Sequence, residues 1–388
     1  MLGSRPGATG GLPPRSEAVV DLDAIRRNVQ TLRARTRAEV MACVKADGYG
    51  HGIVPAARAA LAGGASWLGV AFVEEAVELR DSGVEAPLLA WLATPGEPLA
   101  GAVRRDVDLS ASAPWALAEI VAGAREVGRR ARVHLKVDTG LCRGGAPLAD
   151  WGDLVDVAAK AQAADEIEVV GVWSHLACSD QPDHPVNALQ VAAFTEALDT
   201  AARRGVVPRV RHLANSGGTL SLPETHFDLV RPGIAVYGLP PGPAARMDGF
   251  TPAMTLRSRV ALTKRVPAGS GVSYGHGYHT GTDTTLALVP LGYADGVPRN
   301  ASNLAEVWLG GHRHRIAGRV CMDQFVLDVG DQDVRAGDEV LLFGSGRHGE
   351  PTAEDWAGAV GSIGYEIVTR IGTRVPRRYV GGVSEWRA

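Results

Sequence analysis

Eight short apolar runs recur before residue 232, near 40–44, 67–71, 88–92, 107–109, 132–137, 169–174, 210–214 and 227–231. Amphipathic stretches such as 113–128 and 186–204 separate them. Strands that alternate with helices build parallel βαβ units, and eight of them predict a closed (β/α)8 (TIM) barrel in place of an open sheet. A chain of 388 residues exceeds what one core usually holds. The texture changes at Pro240-Pro241-Gly242-Pro243, a stiff, donor-poor linker. Strand-like runs follow at 256–266, 284–291, 304–309, 314–320, 325–329 and 338–343, with one helix near 352–359, and they predict an antiparallel β domain. The expected organisation is α/β, with a leader over 1–15, a barrel over 16–243 and a C-terminal antiparallel β domain over 244–388. The first strand, near 18–22, is a candidate to pack with the β domain. Asp23 is expected to cap the helix after it, whose apolar face is Ile25, Val29 and Leu32.

A formal net charge of -3 offers no basic excess for nucleic acid. The four cysteines, Cys43, Cys142, Cys178 and Cys321, form neither a CxxC nor a Cys/His zinc spacing, which implies reduced thiols and no metal. The leader is rich in glycine and proline without an apolar core, unlike a signal peptide. No run approaches the ~20 apolar residues that span a bilayer. These features predict a cytoplasmic protein with neither nucleic-acid nor membrane partners.

The first apolar run leads into Val44-Lys45-Ala46-Asp47-Gly48-Tyr49-Gly50-His51-Gly52. A buried strand that ends in one lysine and then breaks into alternating glycines delivers a cation to its C-terminal tip. Position alone favours a solvated surface charge. The glycines shift that reading, because they let backbone approach a ligand closely, and Tyr49 supplies a hydroxyl suited to a phosphate or carboxylate. An amine desolvated in such a place can form a Schiff base with an aldehyde cofactor.

Active sites of such barrels lie at the C-terminal ends of the strands. Lys45 ends the first run, Lys136 and Asp138 the fifth, His175 the sixth, Asn215 and Ser216 the seventh, and Arg231 the eighth. Singly, each has a plain structural reading as a core histidine, a helix cap or a surface ion pair. Jointly they are hard to explain by capping and packing.

In order and spacing, these segments resemble those of alanine racemases from about Val20 to Gly382. The resemblance rests on Val44 to Gly52, His134-Leu135-Lys136-Val137-Asp138-Thr139-Gly140, Trp173-Ser174-His175, Ala214-Asn215-Ser216 and Val230-Arg231-Pro232-Gly233-Ile234. It continues through Val272-Ser273-Tyr274-Gly275, Gly292-Tyr293-Ala294-Asp295-Gly296, Cys321-Met322-Asp323-Gln324-Phe325 and Tyr365-Glu366. The resemblance implies a pyridoxal 5'-phosphate-dependent racemase that interconverts L- and D-alanine for peptidoglycan. Lys45 would hold the cofactor and serve the face from which D-alanine loses its proton, and Tyr274 the L face. His175 would partner the phenol, with Arg231 next to it and facing the pyridine nitrogen. Ser216, the amides of Gly233 and Ile234, and the hydroxyls of Tyr49 and Tyr365 would hold the phosphate, with Asn215 also at the cofactor. Arg143 and the backbone of Met322 would take the substrate carboxylate.

By the same resemblance Lys136 is carbamylated, and Tyr293, Tyr365, Asp180, Arg299 and Arg319 line the entrance. The family's sites are shared across a homodimer, the β domain of one chain covering the barrel of the other. Two departures stand out. Cys142 precedes Arg143 where glycine is usual, and Gly364 precedes Tyr365 where asparagine is common. Decarboxylases of basic amino acids share the architecture but lack the Val-Ser-Tyr-Gly segment, and a regulatory cofactor-binding barrel would lack the C-terminal domain. A cycloserine-resistance role, or a broader small-amino-acid racemase, would use the same residues.

Overall fold

The computed structural model describes residues 14–386. Residues 1–13 of the expected leader lie outside the described residues. The chain divides into two compact units: residues 21–253 with the tail from Tyr379, and the segment up to Val20 with Met254–Arg378. Strand β1 (Ser16–Asp21) pairs within the second unit.

The first unit is the barrel. Its strands are β2 (Glu39–Cys43), β3 (Trp67–Val70), β4 (Leu88–Ala90), β5 (Asp108–Ala111), β6 (Ala131–Lys136), β7 (Ile167–Trp173), β8 (Val210–His212) and β9 (Leu229–Val230). They lie in the order β8-β7-β6-β5-β4-β3-β2-β9, and every pair is parallel. Backbone bonds from Asp228 to Arg211 (3.0 Å) and from Arg231 to Ala214 (2.9 Å) bridge β9 and β8, so the barrel is nearly closed. Covered on both faces, the strands read as near-continuous apolar runs. Met41, Trp67, Leu89, Val170, Val210 and Leu229 fill one interior layer.

The expected strands and helices appear in this unit, the long helices at Pro114–Val127 and Val186–Arg203. The cap of helix Leu22–Ala34 differs from expectation. Asp21, not Asp23, is the N-cap, its Oδ1 accepting from the Ala24 amide at 3.0 Å, because the strand runs one residue short of the expected turn. Asp23 falls inside the first turn and pairs with Arg26.

The second unit is antiparallel β. Its further strands are β10 (Met254–Arg259), β11 (Leu262–Val266), β12 (Gly271–Val272), β13 (Tyr278–His279), β14 (Thr284–Val289), β15 (Glu306–Leu309), β16 (His312–Arg315), β17 (Phe325–Gly330), β18 (Glu339–Phe343) and β19 (Arg377–Val380). One sheet runs β16-β15-β18-β10-β1-β19, a second β11-β14-β17, and β12 pairs with β13. The single run expected at 256–266 is two strands in different sheets. It breaks at Val260 because β10 pairs with β1 and β18 while β11 pairs with β14. The run expected at 314–320 is strand only over His312–Arg315, beyond which the chain turns at Gly318 (φ 82°). No helix among the described residues is long and apolar enough to cross a membrane.

Candidate active site

The segment after Lys45 is a left-handed turn. Ala46, Asp47, Gly48 and Tyr49 all have φ between 54° and 59°. Such a conformation costs non-glycine residues of the order of 1 kcal/mol each and persists only where neighbours fix it. Glu75 supplies one tie, its Oε1 accepting from the Ala46 amide at 2.6 Å while Oε2 accepts from Ala71 (2.9 Å) and Phe72 (3.1 Å). Asp47 supplies another, accepting from the Ile53 amide at 2.9 Å. The half-buried Lys45 amine lies 5.9 Å from the Tyr49 ring centroid and makes no hydrogen bond to a described residue.

Across the same mouth, Lys136 ends β6 with its amine 4.4 Å from the centre of the Trp173 ring. Burial, aided by Arg231 and Arg143, pushes that amine down to about 8. Asp138 Oδ1 accepts from the amides of Gly140, Leu141 and Cys142 at 2.9–3.2 Å and fixes the loop that carries Arg143. Cys142 sits at φ 55°, a conformation that suits glycine. Arg143 is exposed and bonded to no described residue. His175 is held well below the usual imidazole range, first by burial and then by Arg231, Arg143, Lys136 and Lys45. Asp180 packs near Gly242 in the loop after β7.

Arg231 organises the interior. It is buried, and burial pushes its guanidinium down to about 10. Its Nη2 donates to the carbonyls of Ser174 (2.7 Å) and Leu213 (3.3 Å) and to His175 Nδ1 (3.3 Å), and its Nη1 to His212 Nδ1 (3.1 Å). Its Nε makes no hydrogen bond to a described residue. Asn215 caps the short helix Ser216–Ser221 by accepting from Gly218 at 3.1 Å. Ser216 Oγ accepts from the Gly233 amide at 2.8 Å, so that amide and hydroxyl are mutually engaged. Ile234 opens a 3-10 turn. A Cβ on Gly233 would stand 2.2 Å from Tyr49 Oη, so glycine here lets the phenol reach the turn.

The remaining expected residues belong to the β unit. Ser273, at φ 62°, donates through Oγ to the Arg319 carbonyl at 2.7 Å and turns Tyr274 outward. The Tyr293 and Ala294 amides donate to the carbonyls of Cys321 and Met322, each at 3.0 Å. A Cβ on Gly292 would meet both carbonyl oxygens at 2.3 Å, so this junction requires glycine. Tyr274, Met322 and Tyr293 are 71%, 53% and 42% exposed, unusual for large apolar side chains. Arg299 and Arg319 are exposed nearby in the chain, and Tyr365 is half-buried in helix Gly364–Thr369. A side chain at Gly364 would meet Glu354 Oε1 at 1.8 Å, so Glu354 takes the space that asparagine would need.

Several contributors went unread in the sequence. His134, His212 and Asp108 form a buried chain behind Arg231. Gln190 bonds Thr139 Oγ1, the His175 carbonyl and the Ala177 amide, stapling the loops after β6 and β7. The period-2 alternation that puts His134 on the same strand face as Lys136 was a usable signal for the first.

The likeness to known proteins extends over both units. Residues 20–241 match the family of the alanine racemase N-terminal domain, and residues 253–379 that of the C-terminal domain. An alanine racemase of Frankia casuarinae is 62% identical over 384 residues, covering 98% of this chain and all of its own. The crystal structure of the alanine racemase of D-cycloserine-producing Streptomyces lavendulae is 55% identical with a TM-score of 0.96, over 97% of this chain and 100% of that one. A solved structure of the alanine racemase from Streptomyces coelicolor A3(2) is 53% identical with a TM-score of 0.93, over 95% of this chain and 98% of that one. This chain belongs to the alanine racemase family.

Proposed function

We propose that the enzyme interconverts L- and D-alanine with pyridoxal 5'-phosphate by a two-base mechanism, supplying D-alanine for peptidoglycan in the cytoplasm. The observation that carries this reading is the company kept by the Lys45 amine. It makes no hydrogen bond to a described residue and sits on a fixed left-handed turn, at a barrel mouth that also holds Lys136, Arg143 and Arg231. Such a concentration of cations suits a ligand with a phosphate and a carboxylate.

The residues present fit the cofactor. A lysine amine with no hydrogen bond to a described residue is available for its aldehyde, and the glycine-rich turn at Gly233 brings backbone and the Tyr49 phenol together without an intervening Cβ. The uncommitted Arg231 Nε offers a donor for a ring nitrogen. When bound, pyridoxal phosphate supplies a conjugated ring that accepts the electrons left by loss of the α-proton. Lys45 anchors it and moves the proton on the D face, and the partner subunit's Tyr274 moves it on the L face. Because Arg231 donates to His175 Nδ1, the remaining proton of a neutral His175 sits on Nε2, ready to bond the phenol's oxygen. Arg231 donates and stays charged, so it favours an unprotonated ring nitrogen. Ser216, Asn215, Gly233, Ile234, Tyr49 and Tyr365 hold the phosphate, and Gly233 must exchange its bond to Ser216 to do so. Arg143 and the Met322 amide take the substrate carboxylate. The neutral amine that a value of about 8 makes available at Lys136 favours its carbamate, an anion that would orient Arg143. The outward-facing Tyr274, Tyr293 and Met322 support an obligate homodimer with shared sites.

The test is alanine in deuterated water with Tyr274→Phe. The variant should lose racemisation by about 10²- to 10⁴-fold, the usual scale for losing one proton-transfer group. It should still exchange the α-proton of D-alanine through Lys45 while sparing that of L-alanine. Equal exchange from both enantiomers would count against two separate bases.

A further inference from the structure

A buried hydrogen-bonded chain runs through the barrel interior behind Arg231. Asp108, the first residue of β5, accepts from Arg132 Nε (2.6 Å) and Nη2 (3.1 Å), and its Oδ2 lies 3.1 Å from His134 Nε2. His134 Nδ1 lies 2.8 Å from His212 Nε2, and His212 Nδ1 lies 3.1 Å from Arg231 Nη1. Asp108, His134 and His212 are at most 1% exposed and Arg231 is 4% exposed.

The protons of this chain can be assigned from either end. A carboxylate only accepts, so His134 Nε2 carries a hydrogen, and a neutral His134 then offers Nδ1 as an acceptor to His212 Nε2–H. That leaves His212 Nδ1 as an acceptor. From the other end, a guanidinium only donates, so His212 Nδ1 must accept, its Nε2 must carry the hydrogen, and His134 follows in the same way. Both ends demand the same pair of tautomers. A proton added to either ring would set two donors against each other. Packing fixes the rings: Trp173 stacks on His212 at 3° between planes, Trp67 meets the edge of His134, and a Cβ on Gly171 would lie 2.3 Å from His134 Nδ1.

We propose that Asp108 and His134 are positioning residues for Arg231: through His212 they present it with a fixed lone pair and so hold the guanidinium with its Nε uncommitted. The inference rests on the reading of Arg231 as the group that faces the cofactor ring. Asp108 and His134 touch no reacting atom, and their contribution passes entirely through His212.

The experiment is nitrogen-15 NMR of the histidine side chains in the full-length protein, cofactor-free and loaded, with signals assigned through His134→Gln and His212→Asn. Both rings are expected as single Nε2–H tautomers, unchanged by cofactor. An Nδ1–H tautomer or an imidazolium at either ring overturns the proposal, whatever any variant does. In Asp108→Asn the amide competes for the place opposite His134 Nε2. A second tautomer should then emerge at both rings, and kcat should fall about tenfold with KM for alanine unchanged, the lower end of what losing an outer partner costs. Wild-type tautomers and wild-type kcat in that variant also overturn it. Arg231→Gln separates the two levels: normal cofactor affinity in that variant sinks the reading of the site, whereas impaired affinity beside an unaffected Asp108→Asn sinks only this inference.

Discussion

The two units prepare their chemistry in opposite ways. In the barrel, the buried Arg231 and the half-buried His175 are bonded and electrostatically tuned by groups of their own unit. In the β unit, Tyr274, Tyr293 and Met322 stand exposed on backbone turns that aim them without enclosing them. The contrast teaches that the barrel residues are pre-organised by their own unit while those of the β unit are left presented, which is the division that the proposed homodimer with shared sites requires.

The same small change in each unit sharpens the comparison. Gly292→Ala drives a Cβ into the Cys321 and Met322 carbonyls at 2.3 Å, which neighbouring backbone cannot easily relieve. Steady-state kinetics should give a KM for alanine raised about tenfold, as displacement of a positioning loop does. Gly171→Ala drives a Cβ into the His134 ring. Denaturant unfolding should show a loss of about 1–3 kcal/mol, the cost of overpacking a core. If Gly171→Ala mainly changed KM and Gly292→Ala mainly changed stability, the division between a prepared and a presented half would be reversed.

Lys136 gives a smaller effect. Its amine is held at about 8 against an ordinary 10.5, so the neutral form needed for a carbamate dominates above pH 8 and is scarce below it. With carbon-13 bicarbonate, NMR should detect a carbamate that fades as pH falls from about 9 to about 6, with KM rising as it fades. A Lys136 that never labels would remove the proposed orientation of Arg143.

The smallest effect concerns stability. His175 and His212 are both held well below 6.5 by burial and by Arg231. The folded rings stay neutral while the unfolded chain takes up protons below 6.5, so this contribution is intact above that pH and is lost as pH falls through it. His212→Asn should therefore flatten the decline in unfolding free energy between pH 6.5 and about 5. An unchanged slope would mean that His212 is charged in the folded barrel.

Much of this was legible in the residues. The eight barrel strands announced themselves because buried parallel strands are short unbroken apolar runs, and the polar residues at their ends followed from the barrel's geometry. The β unit was harder to read. Val260 and Ala261 continue an apolar run straight through a change of sheet, and β12 and β13 are two residues each, too short for any period. The left-handed turn after Lys45 was only half announced, since its glycines pointed to positive φ but Ala46 and Asp47 adopt it too. His134 and His212 stayed hidden because a histidine on a barrel strand reads as packing until its ring is seen within 2.8 Å of another.

Complementation tests the two-halves account most directly. Lys45→Ala disables the barrel's half and Tyr274→Phe the presented half. When the two inactive proteins are mixed and allowed to exchange subunits, each hybrid should hold one doubly altered site and one intact site, restoring about a quarter of wild-type activity. If hybrids form and the mixture stays inactive, Lys45 and Tyr274 are not contributed to one site by different subunits.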